Sequence, residues 1–450
     1  MTDPDEREAA QSPRDVFRHP GFVRFWTAET VSGFGDYVTV LALQVLVVTT
    51  LSGTAVDVGL LGASRWLPYL LFGLVLGVLI DRRRRRPVLI ATDLGCAVLL
   101  ALIPLLWWMG RLSLPVVLAI AFAYGTLTLM NDSASQSYLP RLVPRSALLA
   151  ANARIDQSAA VAQTTGPIVG GALISALTAP IAILVDVASY LASALTLSRI
   201  RVGEPAAAPP AARRSLFAEL AEGLRWVYRH RMLAPLAVAT HVWFLFNSIL
   251  GTVFVAFVLI NLHLGALHLG ITLAAAGLGA LLGSLYSTRL GIRWGAGRAA
   301  IVANLLMPLG WVVIVLAPGV GVAVGGAGVD GRAGFPGGAG ADGGAVLMVV
   351  GILCLGQFVY GTGMGLENAN TLGYRQSVTP DALQGRMNTS IRSVNRAMIV
   401  IGAPLGGVLA EAIGYREALW IGIAGFVVVA IGLAVSPFRR ARHGDEGTVP

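Results

Sequence analysis

Carboxylates set in long apolar runs are the residues of this sequence best placed to do chemistry. Glu29 and Asp36 share one such run, with Gly33, Val40 and Gln44 near the same stripe. They stand two helical turns apart, so a helix puts both acids on one face about 10 Å from each other. A charge at the bilayer centre costs about 3 kcal/mol on insertion scales, so an acid kept there has a purpose. The chemistry open to it is binding and releasing a proton. Proton coupling is therefore assigned to Asp36 first and to Glu29 second, Glu29 lying nearer the polar end of the run and better solvated. The competing role for Asp36 is a fixed hydrogen bond that pins one helix against another.

A second polar group gathers at the ends of later runs. It comprises Asn131, Asp132 and Ser133, then Asn152, Arg154, Asp156 and Gln157. Farther along stand Glu367, Asn368 and Asn370, and then Asn388, Arg392, Asn395 and Arg396. Opposite charges facing across a path can pair when it closes and separate when it opens, which makes these residues a substrate cavity or inner gate. Static packing within the helices accounts for them equally well. Trp26, Tyr37, Trp66, Tyr124, Trp243, Phe244 and Tyr360 are candidates for an apolar cavity wall, against the alternative of lipid contact. No G-x-x-x-x-G-K-[ST] loop is present, and the 6 histidines lack metal-ligand spacing, so no cofactor, metal or catalytic residue is assigned.

The elements that carry these residues follow from composition. Of 450 residues, 55% are hydrophobic and only 13% charged, and the mean hydropathy is +0.72. A soluble domain carries about a quarter charged residues. The apolar runs are about 20 residues long, enough to cross a bilayer as helix, and too long and unbroken for barrel strands. Spans are expected at about 22–50, 56–80, 87–109, 113–137, 148–177 and 181–199. A second set is expected at about 233–261, 266–288, 298–318, 345–368, 388–413 and 417–437. The net charge of +9 is entirely arginine on its basic side. Arginines crowd alternate connections, among them Arg82 to Arg86, Arg141 and Arg145, and Arg225, Arg229 and Arg231. By the positive-inside rule both ends of the chain and the middle connection are cytoplasmic, which explains the basic excess without nucleic acid. The first 20 residues are polar and do not read as a signal peptide. Cys96 and Cys354 fall in separate apolar runs and suit buried thiols.

The expected organisation is a tail at 1–20, a six-helix bundle at 21–200, a connection at 201–231, a second bundle at 232–437 and a tail at 438–450. Within the connection, Leu216, Phe217, Leu220, Leu224, Val227 and Tyr228 fall on one helical face against Glu219, Glu222 and Arg225, an amphipathic helix suited to the inner membrane surface. Residues 319–344 are mostly Gly, Ala and Val and read as an external loop. The bundles repeat. At an offset of 236, Asn152 meets Asn388, and Gly166, Gly170 and Gly171 meet Gly402, Gly406 and Gly407. Upstream, Gly73 and Gly77 meet Gly279 and Gly283 at an offset of 206, as one insertion near the glycine-rich loop would produce.

Two parallel six-helix repeats are the architecture of the major facilitator superfamily, and the residues themselves resemble it. Gly77, Asp81, Arg82, Arg85 and Arg86 match its G-x-x-x-D-R-x-x-R-R signature, and Gly166, Pro167, Gly170 and Gly171 resemble its exporter motif in span 5. Gly35-Asp36, Leu67-Pro68, the stretch from Leu139 to Pro144, and Ala151-Asn152 are similar to the branch containing macrolide efflux proteins and the enterobactin exporter. The resemblance implies an all-α membrane protein with 12 transmembrane helices in two pseudo-symmetric bundles. It further implies a monomer that exports a hydrophobic small molecule by proton antiport, with alternating access to one central site. It also implies that Asp81 pairs with the start of span 11, through Arg386 or Arg392, and that the signature and the glycines serve conformational change. Proton-coupled uptake and a non-transporting sensor or scaffold are the alternatives. The pattern departs from the family where Ser287 stands opposite Asp81 in the repeat, and where span 4 lacks the arginine of many proton-coupled drug antiporters.

Overall fold

The computed structural model describes residues 15–81, 83–201, 216–318 and 343–442. These are helical throughout. The first six long helices are α1 (Pro20–Val45), α2 (Ala55–Asp81), α3 (Arg85–Trp108), α4 (Leu114–Tyr138), α5 (Leu148–Leu177) and α6 (Ala179–Ser198). A shorter α7 (Leu216–Arg229) leads to α8 (Leu233–Ala256), α9 (Ala266–Trp294), α10 (Ala296–Val315), α11 (Gly343–Val378), α12 (Asp381–Ile413) and α13 (Tyr415–Val435). Among the described residues, eleven helices are long and apolar enough to cross a membrane, at 20 to 36 residues; α2, at 27 residues, falls within that range of lengths. Lipid offers backbone groups no partners, so each apolar run closes its own hydrogen bonds as helix. Residues 319–342 of the glycine-rich segment and the Pro/Ala-rich stretch at 203–212 lie outside the described residues, while Gly343 and Gly344, expected in the loop, open α11.

The chain forms two compact units, Met1–Leu51 with Leu60–Glu219, and Ser52–Gly59 with Leu220–Pro450. Each unit uses the same pairings. Helix α1 packs on α5 and α6 as α8 packs on α12 and α13, and α3 packs on α4 and α6 as α10 packs on α11 and α13. The repeat reaches the backbone. Helix α1 ends in a π-turn at Leu46–Thr50 and α8 in one at Phe257–Asn261, 211 positions later. At the same spacing Ser52 (φ 53°) and His263 (φ 52°) both adopt the left-handed region that non-glycine residues avoid. The α5–α6 and α12–α13 joints are likewise alike, at Thr178 (φ 81°) and Gly414 (φ 105°), now 236 positions apart.

The offset of 206 expected from the glycines is therefore corrected to 211. The register is confirmed where Gly125 of α4 lies against the carbonyl of Arg65, as Gly361 of α11 lies against that of Ala276. Small residues are so frequent in these helices that Gly73 and Gly77 found a false partner five residues away. At the true register Ile292, rather than Ser287, stands opposite Asp81.

Helix α7 differs from its expected setting. Gly223 lies against the Arg386 backbone and Ser390, and Val227 is fully buried with Ala237, Met387 and Ile391. Glu222 pairs with Arg386 at 2.8 Å. Tyr228 joins Nε2 of His241 at 2.8 Å, and Nδ1 of that ring joins Asn395 Oδ1 at 2.7 Å. Part of the apolar face expected on the membrane surface is spent on α8 and α12 instead.

Candidate functional site

A cavity of about 430 Å³ opens inside the first unit between α1, α2 and α5. Helix α1 contributes Trp26, Glu29, Asp36 and Tyr37, and α2 contributes Arg65 and Trp66. Ile155, Ser158 and Ala162 close the α5 side. The helical spacing foreseen from the sequence does bring Glu29 and Asp36 to one wall. Glu29 is half-buried in that wall rather than out in solvent. Trp26 is fixed there by its indole N–H, which donates to Ser158 Oγ at 2.8 Å and ties α1 to α5.

Behind the wall Asp36 is held by two phenols. Tyr124 of α4 and Tyr190 of α6 donate to its Oδ1 at 2.5 and 2.6 Å, and their hydroxyls lie 3.0 Å apart. The Arg65 guanidinium sits 5.7 Å from the Tyr124 ring centroid and the same distance from that of Trp66, within cation–π range. Asp36 thus occupies both positions considered for it, lining the cavity and tying three helices together.

Two further carboxylates lie deeper. Asp186 of α6, fully buried, accepts from Thr39 Oγ1 at 2.5 Å and from Ser189 Oγ at 2.7 Å. Helices α1 and α6 therefore exchange carboxylates: Asp36 reaches Tyr190, and Asp186 reaches Thr39. Gly35 makes room for this, because a Cβ there would lie 2.8 Å from Asp186 Cγ and closer still to its Oδ1. Asp93 of α3, also buried, accepts from Asn131 Nδ2 at 2.8 Å and Ser193 Oγ at 2.6 Å. Arg65, Asp93 and Asp186 are not among the residues expected from the sequence, although each is an ionisable residue inside an apolar run and carries its own signal.

The second unit repeats the central contact without the charge. At the register set by the turns, Asn247 is the counterpart of Asp36 and Tyr360 that of Tyr124. Tyr360 donates to Asn247 Oδ1 at 2.6 Å. Tyr190 and Asp186 are replaced there by Phe426 and Gly422.

Several of the remaining candidates make hydrogen bonds of their own. Asp132 accepts from Tyr69 at 2.7 Å. Arg154 donates to Gln157 at 3.0 Å, and Asn152 donates to its own helix at Leu148. Asp156 and Arg392 are exposed. Asn395 bonds His241, Glu367 lies near Arg375, and Asn388 and Arg396 are half-buried on α12. In the signature, Arg85 is buried, and Arg86 donates to the carbonyls of Leu197 and Ser198 at the end of α6. Of Gly77 and Asp81 only the helical backbone is described, and Arg82 lies outside the described residues. Arg386 is engaged by Glu222. Gly166 and Gly170 bring α5 against Tyr37 and Val38 of α1, with Pro167 and Gly171 buried beside them.

Residues 11–332 match the family described as transmembrane secretion effector, a group of major facilitator superfamily transporters. The chain belongs to that family. This transporter is 26% identical over 432 residues to the uncharacterized MFS-type transporter YfiS of Bacillus subtilis, covering 93% of this chain and 94% of that one. It is 21% identical to macrolide efflux protein A of Streptococcus pyogenes (94% and 97% covered). It is 25% identical to multidrug efflux pump Tap of Mycolicibacterium fortuitum (86% and 88% covered). Among solved structures, the D323A mutant of the nucleoside transporter NupG superposes with a TM-score of 0.70 at 12% identity, covering 92% and 99%. A bacterial homologue of ferroportin in its inward-facing state superposes with 0.68 at 14%, covering 94% and 99%. At such identities these two structures show the fold alone. The transporter is a multi-pass membrane protein with efflux-type relatives.

Proposed function

We propose that this transporter exports a hydrophobic small molecule bearing a basic amine, by proton antiport through alternating access of its two units. The observation that carries the reading is Asp36, a carboxyl group on the wall of a cavity that also presents three aromatic side chains. Trp26, Tyr37 and Trp66 offer ring faces to a cation and to apolar surface. Glu29 and Asp36 place two carboxyl groups in a cavity wall that holds one guanidinium, Arg65. A protonated amine and a proton then compete for Asp36, which is the coupling that antiport requires. The efflux relatives support export as the direction. The arginine-rich ends of the helices and both chain ends face the cytoplasm of a bacterial cell membrane, and the transporter works as a monomer. Each charge moved down the membrane potential supplies about 2.3 kcal/mol per 100 mV.

Everted membrane vesicles test this with erythromycin, ethidium and a catecholate siderophore as probes. An exporter accumulates its substrate and discharges a preformed proton gradient when that substrate is added. Export that continues undiminished after the gradient is collapsed removes the antiport reading. Uptake in right-side-out vesicles would reverse the direction, and no movement of any probe in either preparation would favour a scaffold.

A further inference from the structure

A second cavity, of about 450 Å³, lies in the same unit but away from the site above, between the start of α3 and the end of α4. Its walls are Pro87, Val88, Ala91, Leu127 and Met130, with Thr92 at its floor and Arg83 and Arg84 at its mouth. No acidic side chain lines it. The run of arginines divides its work. Arg85 is buried, and Arg86 is committed to the carbonyls at the end of α6. Arg83 and Arg84 are exposed and have no side-chain partner among the described residues. They stand at the N-terminus of a 24-residue helix whose cap receives no side-chain hydrogen bond. The free backbone N–H groups and the helix dipole there favour an anion, in addition to the two guanidinium groups. Beyond the groove, α3 continues its exposed apolar surface through Leu94 (44% exposed) and Val98 (63%), one turn after another.

We infer that this groove is a binding site for an anionic phospholipid of the leaflet on the arginine-rich side of the membrane. The phosphate is held by Arg83, Arg84 and the α3 N-terminus, and one acyl chain lies along Val88, Ala91, Leu127 and Met130. Charge complementarity selects the occupant. Two unpaired cations above an apolar track fit a headgroup with net negative charge and an attached chain. A zwitterionic lipid would bring its own cation against the arginines. The second unit carries Trp294 and Gly295 at the repeat positions of Arg83 and Arg84. The floor is wired to the polar core, since Asn131 donates both to Thr92 Oγ1 at 3.0 Å and to Asp93. An occupied groove therefore braces the α3–α4 contact that holds Asp93.

The test uses the purified full-length transporter in detergent. Its thermal midpoint is measured against added phosphatidylglycerol, phosphatidylcholine and sn-glycerol phosphate, and bound lipid is counted by native mass spectrometry. Phosphatidylglycerol is expected to raise the midpoint and to remain as a retained adduct. The double variant R83Q/R84Q should need about 30-fold more of it for the same effect, from about 1 kcal/mol for each basic residue at an anionic lipid surface. Ala91→Trp fills the groove, leaves both charges in place, and should lose the adduct. It carries the test alone if R83Q/R84Q fails to assemble. An equal response to phosphatidylcholine, an undiminished response in Ala91→Trp, or an equal shift from soluble glycerol phosphate would each overturn the assignment.

Discussion

Gly35→Ala isolates the close approach of α1 and α6. The new methyl carbon would lie 2.8 Å from Asp186 Cγ, whereas apolar carbons rest at about 3.5–4.0 Å. The carboxylate must therefore retreat by about 1 Å. It is held by Thr39 at 2.5 Å and Ser189 at 2.7 Å, and adding 1 Å to both lengths leaves neither a good hydrogen bond. Leaving a buried donor without its partner costs about 1–3 kcal/mol, so loss of both bonds should destabilise by about 3 kcal/mol after partial relaxation. Denaturant titration of the purified protein in micelles reads this. The decisive arm is a double-mutant cycle with Asp186→Ala, which removes the obstructing carboxylate and frees Ser189 to rotate away. In that background Gly35→Ala should cost at least about 1.5 kcal/mol less than in the native chain. A cost within about 0.5 kcal/mol of zero in the native chain would refute the argument, and so would an unchanged cost beside Asp186→Ala.

Asp36→Asn should leave unfolding within about 1 kcal/mol of the native chain, because the second unit makes the same phenol contact with Asn247, yet substrate-driven proton movement in everted vesicles should be lost. Retained proton movement would take Asp36 out of the coupling role. His230, in the turn before α8, accepts the backbone N–H groups of Met232 and Leu233 through Nδ1, both at 3.2 Å. Burial holds its pKa below the ordinary 6.5, so the unfolded chain takes up the proton first and the cap's contribution is present above about pH 6.5. It is lost as the pH falls from there through the folded value. Unfolding midpoints from pH 7.5 to 5 should therefore decline more steeply in the native chain than in His230→Ser. Val227→Asp puts an unpaired charge into the α7 contact with Met387 and Ile391 and should release the helix. Limited proteolysis of the middle connection should then run at least about 10-fold faster, with the bundles intact.

Much of the helical layout was legible because lipid leaves a chain few options. Apolar length alone marked the spans, and the two-turn spacing of Glu29 and Asp36 put both on the cavity wall. What stayed hidden depended on neighbours distant in the chain. Asp186 and Thr39 are 147 positions apart, and Asp93 and Ser193 are 100 apart, so no window of sequence shows that each acid has neutral donors waiting. The repeat was visible, but its register was not. Glycine identity is cheap in helices this rich in small residues, whereas the π-turns and left-handed joints that fix the offset at 211 leave no residue signature, being built from Ser52 in one unit and His263 in the other. Helix α7 misled for a related reason. An amphipathic face says that something apolar covers it and is silent on whether that is lipid or another helix.

The register, once known, bears on the two roles open to Asp36. If pinning helices were its whole task, an amide would serve, because Asn247 accepts the Tyr360 hydroxyl at 2.6 Å much as Asp36 accepts that of Tyr124 at 2.5 Å. The first unit instead keeps an ionisable group there and surrounds it with features the second unit lacks. Tyr190 adds a second donor where Phe426 has none, and Asp186 stands where Gly422 does. The packing is inverted to match. Gly35 on α1 makes room for Asp186 and Ser189 on α6, while its counterpart Phe246 on α8 fills the space opposite Gly425 on α13. One half therefore solves the helix contact with an aromatic ring in a glycine notch, the cheaper solution in lipid. The other half solves it with ionisable carboxyl groups, which cost more. A bundle that can hold its shape the first way has reason to keep the second only where a group able to gain and lose a proton is used, the role proposed for Asp36.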